Sequence, residues 1–536
     1  MGADFSFDLV AEPWLPVRLV DGTPAVVSLR DALVRAHELV GFDLEFPTQE
    51  PALLRLLLAV CYRAFAGPVD DAQWRVLWDA PQLPAPAIDA YLEQWRPRFD
   101  LFSGATPFFQ SPGLEPAGKD GLKTANKLVA HAPSGNNVPV FTPITDATGF
   151  VLAPAEAARW LVERHGWGTA SDKTGARDNP KVKAGKDTPG IGHLAWIGFV
   201  APIGRTLRET LLLNLIPWQH TNLLRGGPAD RPAWERDPLG AARVTRPPDG
   251  VCDLFTWQGR RIRLHPERRG EDVVVSQVLI AAGDEVDREA VRGVDPHVGW
   301  RSKKAKDGTI AFWPLRARPG QQVWRGLSAL LALDEGDSRA GVLSFLAALE
   351  QSGVPIVSLL VTSAEFGQMS TTLTDLVSDR LDAPVALLRA DDLEAATLAG
   401  DAVTLADKAA RALGWIGEVP YLAYEPETGR HVVPEGRADQ ARAARSTLTE
   451  ELYGALDAPY RRFLVDLGRA TDVDDMREPW ARAVSTAARD LAHRSMARLA
   501  SAQAFAGAAT EASFRRALAR ARNDFSPSDT SEEGAA

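Results

Sequence analysis

From about Arg389 to Arg522 the sequence turns rich in Ala, Leu and Arg and poor in strong strand formers. Such a stretch cannot supply sheet and reads as helix. Four segments carry the helical period, at about 390–416, 439–469, 475–501 and 508–523. Leu448, Leu452, Phe463, Leu464 and Leu467 fit one buried stripe, and Trp480, Val484, Ala487 and Leu491 fit another. Asp391-Asp392 and Asp474-Asp475 stand at predicted helix starts, where carboxylates complement the macrodipole. Residues 386–523 are therefore expected to form a C-terminal four-helix bundle. The Pro, Ser, Asp and Glu that follow predict a disordered acidic tail over 524–536.

Upstream the pattern is mixed. Trp14 to Val20 and Ala25 to Leu29 flank the turn pair Asp21-Gly22 and read as short strands. Thr48 is placed to cap a helix running to Ala66, with Leu53, Leu54, Leu57, Leu58 and Cys61 on its core face. Pro154–His165 and Arg205–Ile216 read as further helices. Leu254–Leu264 is expected to be a hairpin around Gln258-Gly259, and Trp300–Trp313 a second one around Asp307-Gly308. Residues 113–150 and 166–192 are long, Gly-punctuated loops, a pattern that usually marks function or disorder. The expected fold class is α+β: a large mixed N-terminal globular domain with hairpins and long loops over residues 1–385, then the bundle.

Composition narrows the function. A net charge of -10 over 536 residues excludes a simple histone-like nucleic-acid binder. It leaves local basic patches open. Cys61 and Cys252 are the only cysteines, too few for a disulfide framework or a zinc cluster. The start lacks a basic segment followed by an apolar one, so no secretory signal is read and a cytoplasmic location is expected. No stretch is long and apolar enough to predict a membrane span. Gly185-Lys186 resembles the end of a phosphate loop, but Pro180 and Asp187 stand where Gly and Ser or Thr are required. No zinc-protease or nucleophile-elbow motif is present. No metal, cofactor or catalytic residue is therefore assigned, although an enzyme with dispersed active-site residues leaves no linear trace.

Basic residues are more informative. Lys173, Arg177, Lys181, Lys183 and Lys186 share one Gly- and Pro-rich loop. Glycine lets backbone approach a ligand closely, and lysine neutralises phosphate. A solvated flexible loop has the same composition. A second basic stretch, Arg260 to Arg318, interleaves Trp257, Trp300, Trp313 and, just beyond it, Trp324. These aromatics suit either base stacking or the core face of hairpins. In the bundle, eight arginines between Ala481 and Asn523 stand against Asp490 and Glu511. Arg482, Arg489, Arg494 and Arg498 could share a stripe that tracks phosphates or merely aids solubility.

The order of these features resembles the large subunit, CasA, of the type I-E CRISPR surveillance complex Cascade. The resemblance is carried by Glu12-Pro13-Trp14-Leu15-Pro16-Val17-Arg18, by Thr106-Pro107-Phe108-Phe109-Gln110, and by Leu211-Leu212-Leu213-Asn214-Leu215. It continues through Leu254–Gln258 with Arg260–Leu264 and ends in the helical C-terminus. Some members carry a cysteine cluster where this chain has His265-Pro266-Glu267-Arg268-Arg269, so no metal is implied.

The resemblance implies a non-catalytic subunit that recognises the protospacer-adjacent motif in target duplex DNA from the minor groove. It would then wedge the strands apart to start R-loop formation and help recruit a helicase–nuclease. The implied partners are the guide RNA at its 5′ handle, double-stranded target DNA, and the backbone, handle-binding and small subunits. Lys183, Gly185, Lys186, Asp187 and Thr188 fall at the family's motif-reading loop. Gln321 and Gln322 fall at its wedge, with Gln322 favoured. Arg288 stands where the family has a groove-inserting lysine. Asn136, Asn137 and Phe141 fall in a loop that docks on the guide and a neighbouring subunit, and Arg482, Arg489, Arg494 and Arg498 form the bundle's basic face. An enzyme would turn over alone, a pure scaffold would ignore loss of the loop lysines, and this subunit would act only within its complex.

Overall fold

A computed structural model describes residues 5–118, 121–132, 151–304, 308–332, 336–349, 356–389 and 393–526. Asn136, Asn137, Phe141, Asp391, Asp392 and residues 527–536 of the expected tail lie outside the described residues. The chain divides into two compact units. The first is Met1–Pro319 with Arg339–Leu346 and Ser358–Arg380, and the second is Gly320–Ser338 with Ala347–Val357 and Leu381–Ala536.

In the first unit Leu15–Leu19 pairs antiparallel with Pro24–Val27 on one side and Leu39–Phe42 on the other. Gly22 turns the hairpin at φ +88°. The helix Gln49–Ala64 follows as expected and is buried along most of its length. Thr48 precedes it with αR geometry and makes no capping bond; its hydroxyl instead donates to Glu163 Oε1 at 2.7 Å. Pro154–Trp167 is a helix, and Arg205–Ile216 contracts to Leu207–Asn214.

The hairpin expected around Gln258-Gly259 is displaced. Val251–Phe255 is a short helix. The carboxylate of Asp230 accepts from the amides of Cys252 at 2.7 Å and Asp253 at 3.0 Å, so it satisfies donors that the first turn leaves open. The true hairpin joins Arg260–Arg269 to Asp272–Ala282 and turns at Gly270, φ +66°. Trp300–Lys304 pairs antiparallel with Ile310–Pro314, as the expected second hairpin, and Asp307 of its turn lies outside the described residues.

A buried ion pair ties the middle of this unit together. Arg55 Nη2 meets the Asp295 carboxylate at 2.7 Å, with both side chains almost inaccessible. Asp295 also binds His193 Nε2 at 2.7 Å and accepts from the His297 amide at 2.9 Å. The rings of Phe199 and Phe255 flank the Arg55 guanidinium, at 5.4 and 5.1 Å. Burial pushes the His297 imidazole down to about 3, so the ring is neutral at physiological pH.

The second unit holds four long helices, Leu393–Glu418, Ala438–Leu467, Arg477–Met496 and Ala504–Phe525. They match the four expected segments. The first packs against each of the others, because Ala399, Ala402, Ala406, Ala409 and Ala410 keep its buried surface thin. Tyr460, Phe463 and Trp480 form an aromatic cluster, and Trp480 Nε1 donates to the Ala402 carbonyl at 2.9 Å. Among the described residues no helix is long and apolar enough to cross a membrane.

Buried charge makes the stability of the first unit testable in two ways. Asp295→Ala leaves Arg55 buried without its counter-charge and should cost about 3–5 kcal/mol in a urea titration. Glu163 gives a pH signature. Burial raises its carboxyl to about 7, against the opposing pull of the Thr48 hydroxyl and Arg164. Between its unfolded value near ~4.3 and that raised value the folded state holds the extra proton, so this group's contribution to stability falls as pH rises. Glu163→Gln should remove that decline. The variant should gain on the parent by on the order of 1–3 kcal/mol between acid and mildly alkaline pH, read by denaturant melts at each pH.

Candidate nucleic-acid interface

The loop that follows the Pro154–Trp167 helix is irregular but held at both ends. At its start Asp172 is fully buried and meets Arg164 from that helix, Arg260 at 2.8 Å from the hairpin strand, and Lys127 at 3.4 Å. Burial alone would raise this carboxyl; the three cations hold it well below the ordinary range. Arg260 also donates to the carbonyls of Thr169 at 3.0 Å and Gly190 at 2.8 Å, so one guanidinium grips both arms of the loop. Gly168 is required here, since a Cβ would lie 2.6 Å from Arg260 Nε.

Near the loop's end Asp187 is buried and takes Arg243 in a two-pronged pair, at 2.6 and 2.8 Å. The Arg243 bonds hold its carboxyl below the usual value. Asn179 Nδ2 donates to the same carboxylate at 3.0 Å. Asp187 therefore anchors the loop internally, and its carboxylate does not face outward as a contact residue would.

Between the anchors the chain reverses in a tight two-residue turn. The Lys183 amide donates to the Lys186 carbonyl at 2.8 Å and the Lys186 amide returns to Lys183 at 3.0 Å. Ala184 and Gly185 both have positive φ, 48° and 73°, the signature of a type I′ turn. The Gly175 amide donates to the Gly185 carbonyl at 2.9 Å. A Cβ on Gly175 would sit 2.7 Å from that oxygen, so only glycine lets the two strands of the loop meet. Lys181, Lys183, Lys186 and Thr188 are exposed. Among the described residues none of these lysines pairs with a carboxylate, whereas Arg177 pairs with Glu115. The small tip Ala184-Gly185 thus stands between two free ammonium groups.

The other expected residues fall elsewhere. Gln321 and Gln322 are half-buried in the second unit. Trp324 holds them there: its ring stacks on Tyr460 at 4.4 Å and its Nε1 donates to Asp457 at 2.9 Å. The Arg325 guanidinium lies over the Tyr453 ring at 3.4 Å. Gln322 Oε1 is buried without a hydrogen-bond partner. A single break near residue 386 would assign this segment to the N-terminal domain; burial of Trp324 draws it to the bundle.

Arg288 is exposed and lies over the Trp196 ring at 4.8 Å. The four bundle arginines are all exposed, but they do not make one stripe. At ~100° per residue Arg482 and Arg489 share one flank of the Arg477–Met496 helix and Arg494 lies on the other. Arg498 is past the helix end. Arg482 pairs with Glu478 at 3.3 Å.

The second basic stretch splits on folding: Arg268, Arg269, Arg301, Lys303, Lys304, Arg316 and Arg318 stay exposed, while its start and most of its tryptophans turn inward. Arg260 and Arg261 are buried, the latter paired with Asp284 at 2.6 Å, and Trp257, Trp300 and Trp324 are core. Trp313 alone of the four is exposed. The anchor Arg243 was missed in the sequence. It lies 56 residues from Asp187, and no linear pattern joins them. Among the described residues no group of His, Cys, Asp and Glu side chains converges to hold a metal ion.

Comparison with known proteins bears on what this arrangement serves. Residues 8–491 match the sequence family of CRISPR-associated protein Cse1. A Cse1 crystal structure from Acidimicrobium ferrooxidans is 62% identical and covers 98% of this chain and 100% of its own, with a TM-score of 0.92. CasA/Cse1 of Thermus thermophilus is 32% identical over 344 residues, which span 63% of this chain and 62% of that relative. A chain of a structure described as a CRISPR RNA-guided surveillance complex shares the fold, at 21% identity and a TM-score of 0.67 over 97% of this chain and 100% of its own. The match over nearly the whole length places this chain in the Cse1 (CasA) family, the large subunit of the type I-E CRISPR surveillance complex Cascade.

Proposed function

We propose that this chain reads the protospacer-adjacent motif of target duplex DNA for its surveillance complex, and does so without catalysing a reaction itself. The observation that carries this reading is the doubly anchored turn Lys183–Lys186. Its tip has no side chain larger than a methyl group. The minor groove is only about 6 Å wide, and backbone with Ala and Gly enters it where larger residues would not. Lys183 and Lys186 flank the tip and meet the phosphates that border the groove. Asp187 serves as the tip's anchor through Arg243, and Thr188 lies exposed beside it.

Gln322 is the proposed wedge. To meet the edge of a base freed at the fork the half-buried side chain turns outward from a position where its Oε1 is buried without a partner, and the stacked Trp324 gives the segment a stiff footing. Strand exchange on an RNA guide is nearly balanced in energy, so a few kcal/mol at the motif decides whether opening begins. The guide's 5′ handle, the other Cascade subunits and a recruited helicase–nuclease complete the proposed partners, with Asn136, Asn137 and Phe141 in the docking loop. The exposed arginines Arg482 and Arg489 on one flank, and Arg494 on the other, supply phosphate or subunit contacts. The proposed location is the cytoplasm.

The reading is tested with guide-loaded complex lacking or containing this chain, titrated with duplexes that share the guide-matched sequence and differ only in the flanking motif. The chain should tighten binding only where the motif is correct; equal tightening of both duplexes overturns the reading. Lys183→Gln and Lys186→Gln should each reduce the log–log salt dependence of binding by about 0.9 for each phosphate left without its lysine. Gln322→Ala should leave the thermal midpoint of the free chain unchanged while slowing strand opening, followed by a fluorescent base analogue placed next to the motif.

A further inference from the structure

A cavity of about 330 Å³ opens in the first unit, lined by Gly190, His193, Trp196, Trp257, Glu285 and Arg288 among others. The chemistry of its wall is unevenly committed. Glu285 pairs with Arg243 at 3.0 Å, and Asp284 pairs with Arg261 at 2.6 Å. Arg260, also in the wall, is held by Asp172. Trp257 is covered on one face by Arg246 at 4.2 Å, and its Nε1 donates to the Asp284 carbonyl at 2.8 Å.

Two groups are left over, Arg288 and Asp287, and a third, His193, is closed off. Arg288 lies on the Trp196 ring at 4.8 Å and, among the described residues, pairs with no carboxylate. Its guanidinium is a flat, backed surface with N–H groups at the edge. His193 binds Asp295 through Nε2 at 2.7 Å, which puts the ring proton on that nitrogen, facing a carboxylate. Nδ1 is then without a partner, but it is buried and closed to the cavity's occupant. Burial also disfavours the charged imidazolium. Asp287, also in the wall, accepts from the Glu289 amide at 3.1 Å and pairs with no cation among the described residues.

We propose that this cavity is a nucleotide-binding site, taking one nucleoside monophosphate unit with its base stacked on the Arg288–Trp196 pair and its phosphate on the guanidinium edge. A planar base suits a guanidinium face backed by an aromatic ring. A cavity of this size holds a mononucleotide. An acidic peptide would leave the stacking surface unused, and a purely apolar ligand would leave the guanidinium unpaired. The assignment gives Arg288 a role in a pocket and not in the groove. It stands independently of the motif-reading turn, because the test needs neither guide nor motif.

The purified full chain is titrated calorimetrically with the four 2′-deoxynucleoside 5′-monophosphates, and separately with inorganic phosphate. Saturable nucleotide binding is expected, with phosphate alone at least about tenfold weaker because it cannot stack. Arg288→Ala and Trp196→Ala should each weaken nucleotide binding by about tenfold. Asp287→Asn, which removes a carboxylate near the phosphate, should tighten it. Thermal melts of each variant identify any that fail to fold, and Arg288→Lys and Trp196→Phe, which alter the surface least, then stand in for them with smaller losses. No saturable binding, equal binding of phosphate and nucleotide, or affinity unchanged in both the Arg288 and Trp196 variants overturns the proposal. A duplex with one bulged base, set against the fully paired duplex, separates the sources. Tighter binding of the bulged duplex, abolished in the Arg288→Ala variant, assigns the site to a nucleotide extruded from a strand; equal binding assigns it to free nucleotide.

Discussion

One carboxylate organises the first unit's irregular region. Asp172 draws in Lys127, Arg164 and Arg260, which come from three places far apart in sequence. Each cation would be costly to bury alone, and so would the carboxylate; together they are stable only with their geometry intact. The Pro154–Trp167 helix, the Arg260–Arg269 strand and the loop between Gly168 and Gly190 are therefore fixed as a set. Arg243 and Asp187 close the same loop at the far end. A segment with little regular structure thereby holds a defined shape without a hydrophobic core of its own.

The second unit uses a different device. Its helices pack through alanine and aromatic side chains, and the Gln321–Arg325 segment is held by aromatic contacts that include the partly buried Arg325 guanidinium. Trp324 stacks on Tyr460 and bonds to Asp457, while Arg325 covers Tyr453. A short 3-10 turn, Val323–Gly326, is thus held by side chains as well as by its backbone hydrogen bonds. Gln322 stands immediately before it, and its orientation depends on that aromatic grip.

Much of this was legible in the sequence wherever periodicity operates. The four bundle helices, the Gln49–Ala64 helix and the hairpin at Asp307-Gly308 follow from spacing and turn chemistry, which are local. The failures share a cause. Leu254 to Gln258 has strand composition, yet Asp230 from another segment supplies the acceptors that make its start helical. Thr48 looks like a cap but turns its hydroxyl to Glu163, 115 residues away. Arg260 and Arg261 look like surface cations because their carboxylate partners are remote. At the candidate site the lysine loop was visible from composition, and its type I′ tip was not, because Ala184 gives no sign of a left-handed backbone. The 330 Å³ cavity left no linear trace at all.

For the proposed motif reading, the tightness of the Lys183–Lys186 turn has a consequence for timing. A flexible loop reading a groove must give up conformational entropy at each encounter, and it can partly fit an incorrect sequence by rearranging. Here most of that ordering is completed when the chain folds, through two buried ion pairs and the crossed amide bonds of the tip. An encounter then tests a shape that is already made. A mismatched groove gains no adaptive contacts and is released quickly, while a matching one binds without a slow rearrangement. Under the proposed motif-reading role, rigidity at the tip would set the search speed as much as the choice of sequence.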